Sequence, residues 1–173
     1  GSLVLGDKSH GFDLPYCDKI ELVSSYTIEM WIKPDTPART ELVQCLIDRT
    51  ANLAFDGSMT LRQIKLIVKW DADLVENGEE ASGHLNLNMG NAEMGTGVDL
   101  GVGGDGKAGQ LKSGAWTHVA ITVGGGEVGL FVNGEIASRG VFEGNRLGAP
   151  NNASVAFGHD SDGTSLFKGR MRD

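Results

Sequence analysis

Between Trp116 and Ser138 the chain shows one pattern twice: a short run of alternating apolar residues, closed by glycine or asparagine. In the first run Val119, Ile121 and Val123 share one side, and His118, Ala120 and Thr122 share the other. A period of two marks a half-buried β-strand, because successive side chains leave opposite faces of the backbone. Gly124-Gly125-Gly126 supplies a turn, and Val128 to Val132 returns. Asn133-Gly134 is then a two-residue hairpin signal, since both residue types accept the positive φ of a tight primed turn. Glu135 to Ser138 continues beyond it. A chain carrying this segment must build an antiparallel sheet.

The same period recurs on both sides. Ile28, Met30 and Ile32 oppose Thr27, Glu29, Trp31 and Lys33, and Pro34-Asp35 and Pro37 end that strand. Leu42 to Arg49 reads as a second strand. In Gln63 to Trp70, Ile64, Leu66, Val68 and Trp70 share a face. In His84 to Met89, Leu85, Leu87 and Met89 lie opposite His84, Asn86 and Asn88. Ser154 to Gly158 and Ser165 to Met171 supply two late strands. Asp71 to Gly83, acidic and ending in Ser-Gly, reads as a loop, as does the glycine-rich stretch Gly90 to Gly109. No helical period of useful length appears, and glycine, 26 of 173 residues, sits between the apolar runs where turns are needed. Many short strands with turn residues between them indicate an all-β sandwich or barrel. A chain of 173 residues suits one domain and buries enough surface to need neither metal nor disulfide for its core.

The net charge of −8 repels phosphate backbones, which argues against nucleic acid as a partner. It also leaves carboxylates to spare for a hard cation such as calcium. No run of about 18 apolar residues exists, so no membrane-inserting helix is expected. Cys17 and Cys45 allow one disulfide or two free thiols, and sequence leaves that choice open. Gly1-Ser2 looks like a cloning remnant, so a natural leader is not excluded.

The run Tyr26 to Pro34 resembles the early strand of laminin-G-like, concanavalin A-like lectin-glucanase domains. Gly114 to Thr122 is similar to their Trp-x-His-Val-Ala strand, and Leu130 to Glu135 to the following hairpin. Val155-Ala156-Phe157-Gly158 and Phe167-Lys168-Gly169-Arg170-Met171 resemble the closing strands. The ordered set spans nearly the whole chain. The resemblance implies a jelly-roll sandwich of two antiparallel sheets, one laminin-G-like domain over residues 1–173, in an extracellular or cell-surface setting. Relatives often carry Asp where this chain has Arg172, just before its end at Asp173. No metal role is carried over to that position, and the chain is expected to be a piece of a longer protein lacking its last strand.

Three kinds of site follow. His159-Asp160-Ser161-Asp162-Gly163 sets two carboxylates two residues apart, and Gly6-Asp7 resembles the family's opening loop. Asp7, Asp160 and Asp162 are therefore the candidate calcium ligands, against the plainer reading of an Asp-Gly turn. His84, Asn86 and Asn88 are the candidate ligand face, because side-chain amides offer sugars both donors and an acceptor. Trp31 and Trp70 are expected in the core, and Trp116 and His118 in structural roles.

For catalysis the signals are missing. The Glu-x-Asp-x-x-Glu set of retaining glucanases is absent. Arg39-Thr40-Glu41-Leu42, Gln63-Ile64-Lys65 and Leu166-Phe167-Lys168-Gly169 faintly echo jelly-roll alginate lyases. Lys65, however, stands where that chemistry needs His, and no Tyr follows Tyr26. The expectation is a non-catalytic binding or adhesion module for a glycan or an extracellular protein, assisted by calcium. A polysaccharide-cleaving enzyme of the same fold and a structural spacer domain are the alternatives.

Overall fold

A computed structural model describes residues 1, 3–5, 11–15, 25–52, 60–73, 81–90, 98–101, 109–141 and 154–173. Among them are thirteen strands: β1 (Leu3–Leu5), β2 (Phe12–Leu14), β3 (Tyr26–Pro34), β4 (Val43–Asn52), β5 (Thr60–Trp70), β6 (Ser82–Gly90), β7 (Val98–Gly101), β8 (Gln110–Lys112), β9 (Thr117–Gly124), β10 (Glu127–Val132), β11 (Glu135–Val141), β12 (Val155–Phe157) and β13 (Gly169–Arg172). They form two antiparallel sheets packed as a jelly-roll sandwich. The first runs β1-β13-β3-β9-β10-β11, and the second β2-β12-β4-β5-β6-β7, with β8 also pairing with β6. Among the described residues no helix is long and apolar enough to cross a membrane.

The alternation read from sequence becomes the two sides of each sheet. Ile32, Val119, Ile121 and Leu130 of the first sheet meet Ile64, Leu66, Leu85 and Leu87 of the second in one buried cluster. Both predicted turns hold. Asn133 and Gly134 have φ of 51° and 82°, and Gly125 and Gly126 have 62° and 83°. The Asn133 side-chain oxygen accepts from the His118 amide at 3.0 Å, so this hairpin is tied to its neighbouring strand.

The stretch Gly90 to Gly109 is not all loop: Val98–Gly101 forms β7, which pairs with β6 through Met89↔Val98 and Leu87↔Leu100. Val98 and Leu100 are buried while Asp99 and Gly101 are exposed. Four alternating residues between glycines are too few to show a period in sequence, and burial against β6 decides the matter. Strand β6 likewise begins at Ser82, inside the stretch read as loop from Asp71 to Gly83.

Trp70 is core, as expected, but Trp31 is not. It is 36% exposed on the outer side of the first sheet, against His118 and beneath the Arg172 guanidinium, whose carbon lies 5.5 Å from its ring. Trp31 shares parity with Glu29 and Lys33, and the pleat overrides the general preference of a large aromatic for the interior. Arg172 also covers Trp116, at 4.5 Å. Arg172 thus holds a cation between two indoles. Its strand, β13, lies inside the sheet between β1 and β3.

Gly169 joins β13 to β3 with φ of 146°. A Cβ there would lie 2.9 Å from the Pro34 Cα and closer still to the Lys33 carbonyl oxygen. Gly169→Ala is therefore expected to cost about 1–3 kcal/mol in chemical denaturation. Unchanged stability would show that the β13–β3 approach is looser than described.

Candidate functional site

Leu85, Leu87 and Met89 fill the core, so alternation turns His84, Asn86 and Asn88 to the outer face of the second sheet. By the same rule β5 presents Lys65, Ile67 and Lys69 there, and β7 presents Asp99 and Gly101. The register lines these residues into rows perpendicular to the strands. One row crosses six strands: Asp13, Ala156, Asp48, Lys65, Asn88 and Asp99 are successive partners. Five inter-strand spacings make it roughly 24 Å long. The next row sets Cys45, Ile67, Asn86 and Gly101 side by side. A third joins Val43, Lys69, His84 and Gln110.

The predicted face is thus assembled, but it is not a freely solvated one. Asn86 is 8% exposed. Its amide nitrogen donates to Asp99 Oδ1 at 2.7 Å, and its oxygen accepts from Asn88 Nδ2 at 3.1 Å. Asp99, Asn86 and Asn88 form one directed chain that fixes both amide orientations. It leaves the Asn88 side-chain oxygen and the second Asp99 oxygen outside those two bonds.

The segment 158–167 walls the other end of the face. It leaves β12 through Gly158 N to Leu46 O and returns through Cys45 N to Ser165 O, both at 3.0 Å. Within it Asp160 organises a turn, its carbonyl accepting from Gly163 N at 2.9 Å. Its carboxylate accepts from Thr164 N at 2.7 Å, Thr164 Oγ1 at 2.9 Å and Ser165 N at 3.2 Å. Burial, the strongest single influence on this carboxyl, opposes its charge. The hydrogen bonds from Thr164 and Ser165 together outweigh burial and hold it down at about 2.

Lys65 Nζ lies 3.5 Å from Asp48 and 3.7 Å from Asp160, so one ammonium bridges two buried carboxylates. Asp48 also accepts from Ser161 N at 2.9 Å and from the Thr50 hydroxyl.

This arrangement bears on the calcium expectation. Asp160 spends its oxygens on turn donors and Lys65, and Asp162 is exposed in the turn. Asp7 lies outside the described residues. Among the described residues no group of three His, Cys, Asp or Glu side chains is set to hold a metal ion. The ammonium of Lys65 already supplies the positive charge between Asp48 and Asp160. The described carboxylates therefore do not fit calcium, and Asp160 follows the plainer reading of a turn-forming Asp.

Cys45 is a buried free thiol, pushed up by burial and further by the Asp48 charge, and so unreactive. Cys17 lies outside the described residues. Of the faint lyase echo, Glu41 and Lys168 do meet, at 2.6 Å, as an ion pair.

Lys65, Lys69, Asp48 and Asp99 were missed as members of this face. The signal for the lysines lay in the parity of β5, where they alternate with Ile64, Leu66 and Val68. For Asp48 and Asp99 no local signal existed, since only strand pairing brings them alongside.

The match to a family model described as concanavalin A-like lectin/glucanases superfamily covers residues 6–173. No curated protein matches the sequence. Among solved structures, a heptameric SAP-like pentraxin from Limulus polyphemus superposes with a TM-score of 0.60 at 16% identity, over 99% of this chain and 72% of its own. A putative carbohydrate binding protein from Bacteroides ovatus gives 0.60 at 16% identity, over 99% of this chain and 41% of its own. The CBM40 module of a Ruminococcus gnavus IT-sialidase, solved with alpha2,6 sialyllactose, gives 0.56 at 15% identity, over 98% and 89%. At such identities these likenesses speak for the fold alone. With the family match spanning nearly every residue and the two sheets in place, the chain belongs to the concanavalin A-like lectin/glucanase superfamily.

Proposed function

We propose that this domain is a non-catalytic glycan-recognition module that binds an oligosaccharide across the outer face of its second sheet. The observation that carries the reading is the Asp99–Asn86–Asn88 hydrogen-bond chain. Amides fixed in orientation before binding spare the ordering cost that weakens flexible sites. His84 and Lys69 add further polar groups beside them, and half-buried Ile67 offers aliphatic surface for the apolar side of a sugar ring. The names borne by the Bacteroides and Ruminococcus relatives support the same ligand class. An extracellular or cell-surface setting goes with this reading.

Asp160 is unsuited to act as a general acid on this face. A general acid must hold a proton near the working pH. Asp160, held at about 2, stays ionised, and it is tied to Lys65 and the turn.

The test is an immobilised glycan and polysaccharide panel, followed by titration of the strongest binder. Asn88→Ala is expected to weaken binding about tenfold or more, equivalent to roughly 1.4 kcal/mol, with its circular dichroism unchanged. Undiminished affinity in Asn88→Ala and His84→Ala would place the ligand elsewhere. Release of reducing ends or unsaturated sugars from the panel would make the domain an enzyme.

A further inference from the structure

At the β2 end of the six-strand row the outer face deepens into a cavity of about 300 Å³. Ala156 forms its floor, because its small side chain stands in the row between Asp13 and Asp48. Thr50, Ser154 and Ser161 place hydroxyls around it, and His159 closes one side. The walls are held in place. His159 Nε2 lies 3.4 Å from Asp13, its Nδ1 lies 2.8 Å from the Asp160 carbonyl oxygen, and Asp48 is fixed by Ser161 N and Lys65. The volume lies at the lower end of the range for ligand pockets, roughly 300–1,000 Å³, and suits a single sugar ring rather than a longer segment.

Charge narrows the ligand. Asp13, Asp48 and Asp160 contribute three negative charges in and just beneath the cavity, against one positive charge from Lys65. Among these described groups two negative charges are left over with His159 neutral, and one with it protonated. A carboxylated or sulfated sugar would be repelled, whereas an ammonium gains from Asp13 at the wall and from the charge buried behind it. The rest of the lining offers hydroxyl and carboxylate oxygens, which accept hydrogen bonds from sugar hydroxyls.

From this juxtaposition of an alanine floor, the Asp13 carboxylate at the wall with the Asp48 charge buried behind it, and a hydroxyl rim in line with Asn88, we infer that the cavity is an end subsite for a protonated amino sugar, the last ring of a glycan lying along the row. The inference rests on the glycan-binding reading and adds to it the class of sugar at one end.

Fully deacetylated chitotetraose and its N-acetylated counterpart are the probes, titrated by calorimetry into the unaltered domain and its variants. The free-amine tetrasaccharide is expected to bind about tenfold tighter or more. Asp13→Asn, at a side chain more than half exposed and thus tolerant of change, is expected to bring that preference to within about threefold. Ala156→Leu, which fills the floor, is expected to weaken the free-amine probe, with a urea unfolding curve showing that the variant is folded. Asn88→Ala separates the two ideas, since on both together it weakens both probes alike and leaves the preference intact. Equal binding of the two probes, failure of both to bind, or a preference untouched by Asp13→Asn overturns the amino-sugar subsite, whatever the glycan panel shows for the face. Free-amine binding that survives Asn88→Ala and is lost in Asp13→Asn keeps the subsite and overturns the face reading.

Discussion

Leu87→Ala is expected to destabilise the domain by about 2–5 kcal/mol, the range for emptying a fully buried leucine site. Leu87 is wholly inaccessible and stands in a row with Leu66 on one side and Leu100 on the other. Both neighbours belong to paired strands, so the backbone has little freedom to close over the cavity. The loss comprises the transfer free energy of the missing carbons plus the contacts forfeited by the cavity wall. Leu87 also separates Asn86 from Asn88 along β6. The same variant therefore measures how far the amide chain on the outer face depends on the packing beneath it. Urea unfolding monitored by tryptophan fluorescence gives the stability term. A loss below about 1 kcal/mol would mean that the core repacks, against the close-packed interior described here.

Asp160→Ala is the second large effect, expected at about 3 kcal/mol, within the range for removing one partner of a buried ion pair. It strips three donors of their acceptor and leaves Lys65 with Asp48 alone. A pH signature distinguishes this from simple loss of packing. The Asp160 carboxyl is lowered from its ordinary value of 3.8 to about 2. A depressed folded-state value means that the unfolded chain takes up the proton first as pH falls. The stabilisation is thus fully present above about pH 4 and is lost as pH drops from there through about 2. The size of the shift corresponds to roughly 2 kcal/mol. Stability measured between pH 6 and pH 2 should fall more steeply in the unaltered protein than in Asp160→Ala. Parallel curves would refute the role given to the Asp160 carboxylate.

Much of the fold was legible because alternation is a local property. Ile28, Met30 and Ile32 announce their strand by parity alone, and Asn133-Gly134 announces its hairpin by the φ values it tolerates. The polar side of β6 was legible for the same reason: once Leu85, Leu87 and Met89 are inside, His84, Asn86 and Asn88 must be outside. Strand β7 was not legible, since Val98 and Leu100 carry too short a pattern to stand out between glycines. Trp31 lies outside despite the preference of large aromatics for the interior, because its parity with Glu29 and Lys33 turns it outward.

The sequence by itself determined which residues face in and which face out along each strand, and with them the all-β class. Those are consequences of a two-residue period and of turn chemistry, both of which act over a few bonds. Only the tertiary structure decided which outward residues stand together. Asp13, Asp48, Lys65, Asn88 and Asp99 are scattered over 87 positions, from residue 13 to residue 99, yet they share one row because β2, β12, β4, β5, β6 and β7 pair in that order. Register is set by burying the inner faces together and by where the turns fall, and neither is written at the position of any one of those residues. The same holds for Lys65, whose ammonium lies between Asp48 and Asp160 only because the segment 158–167 folds back against β4.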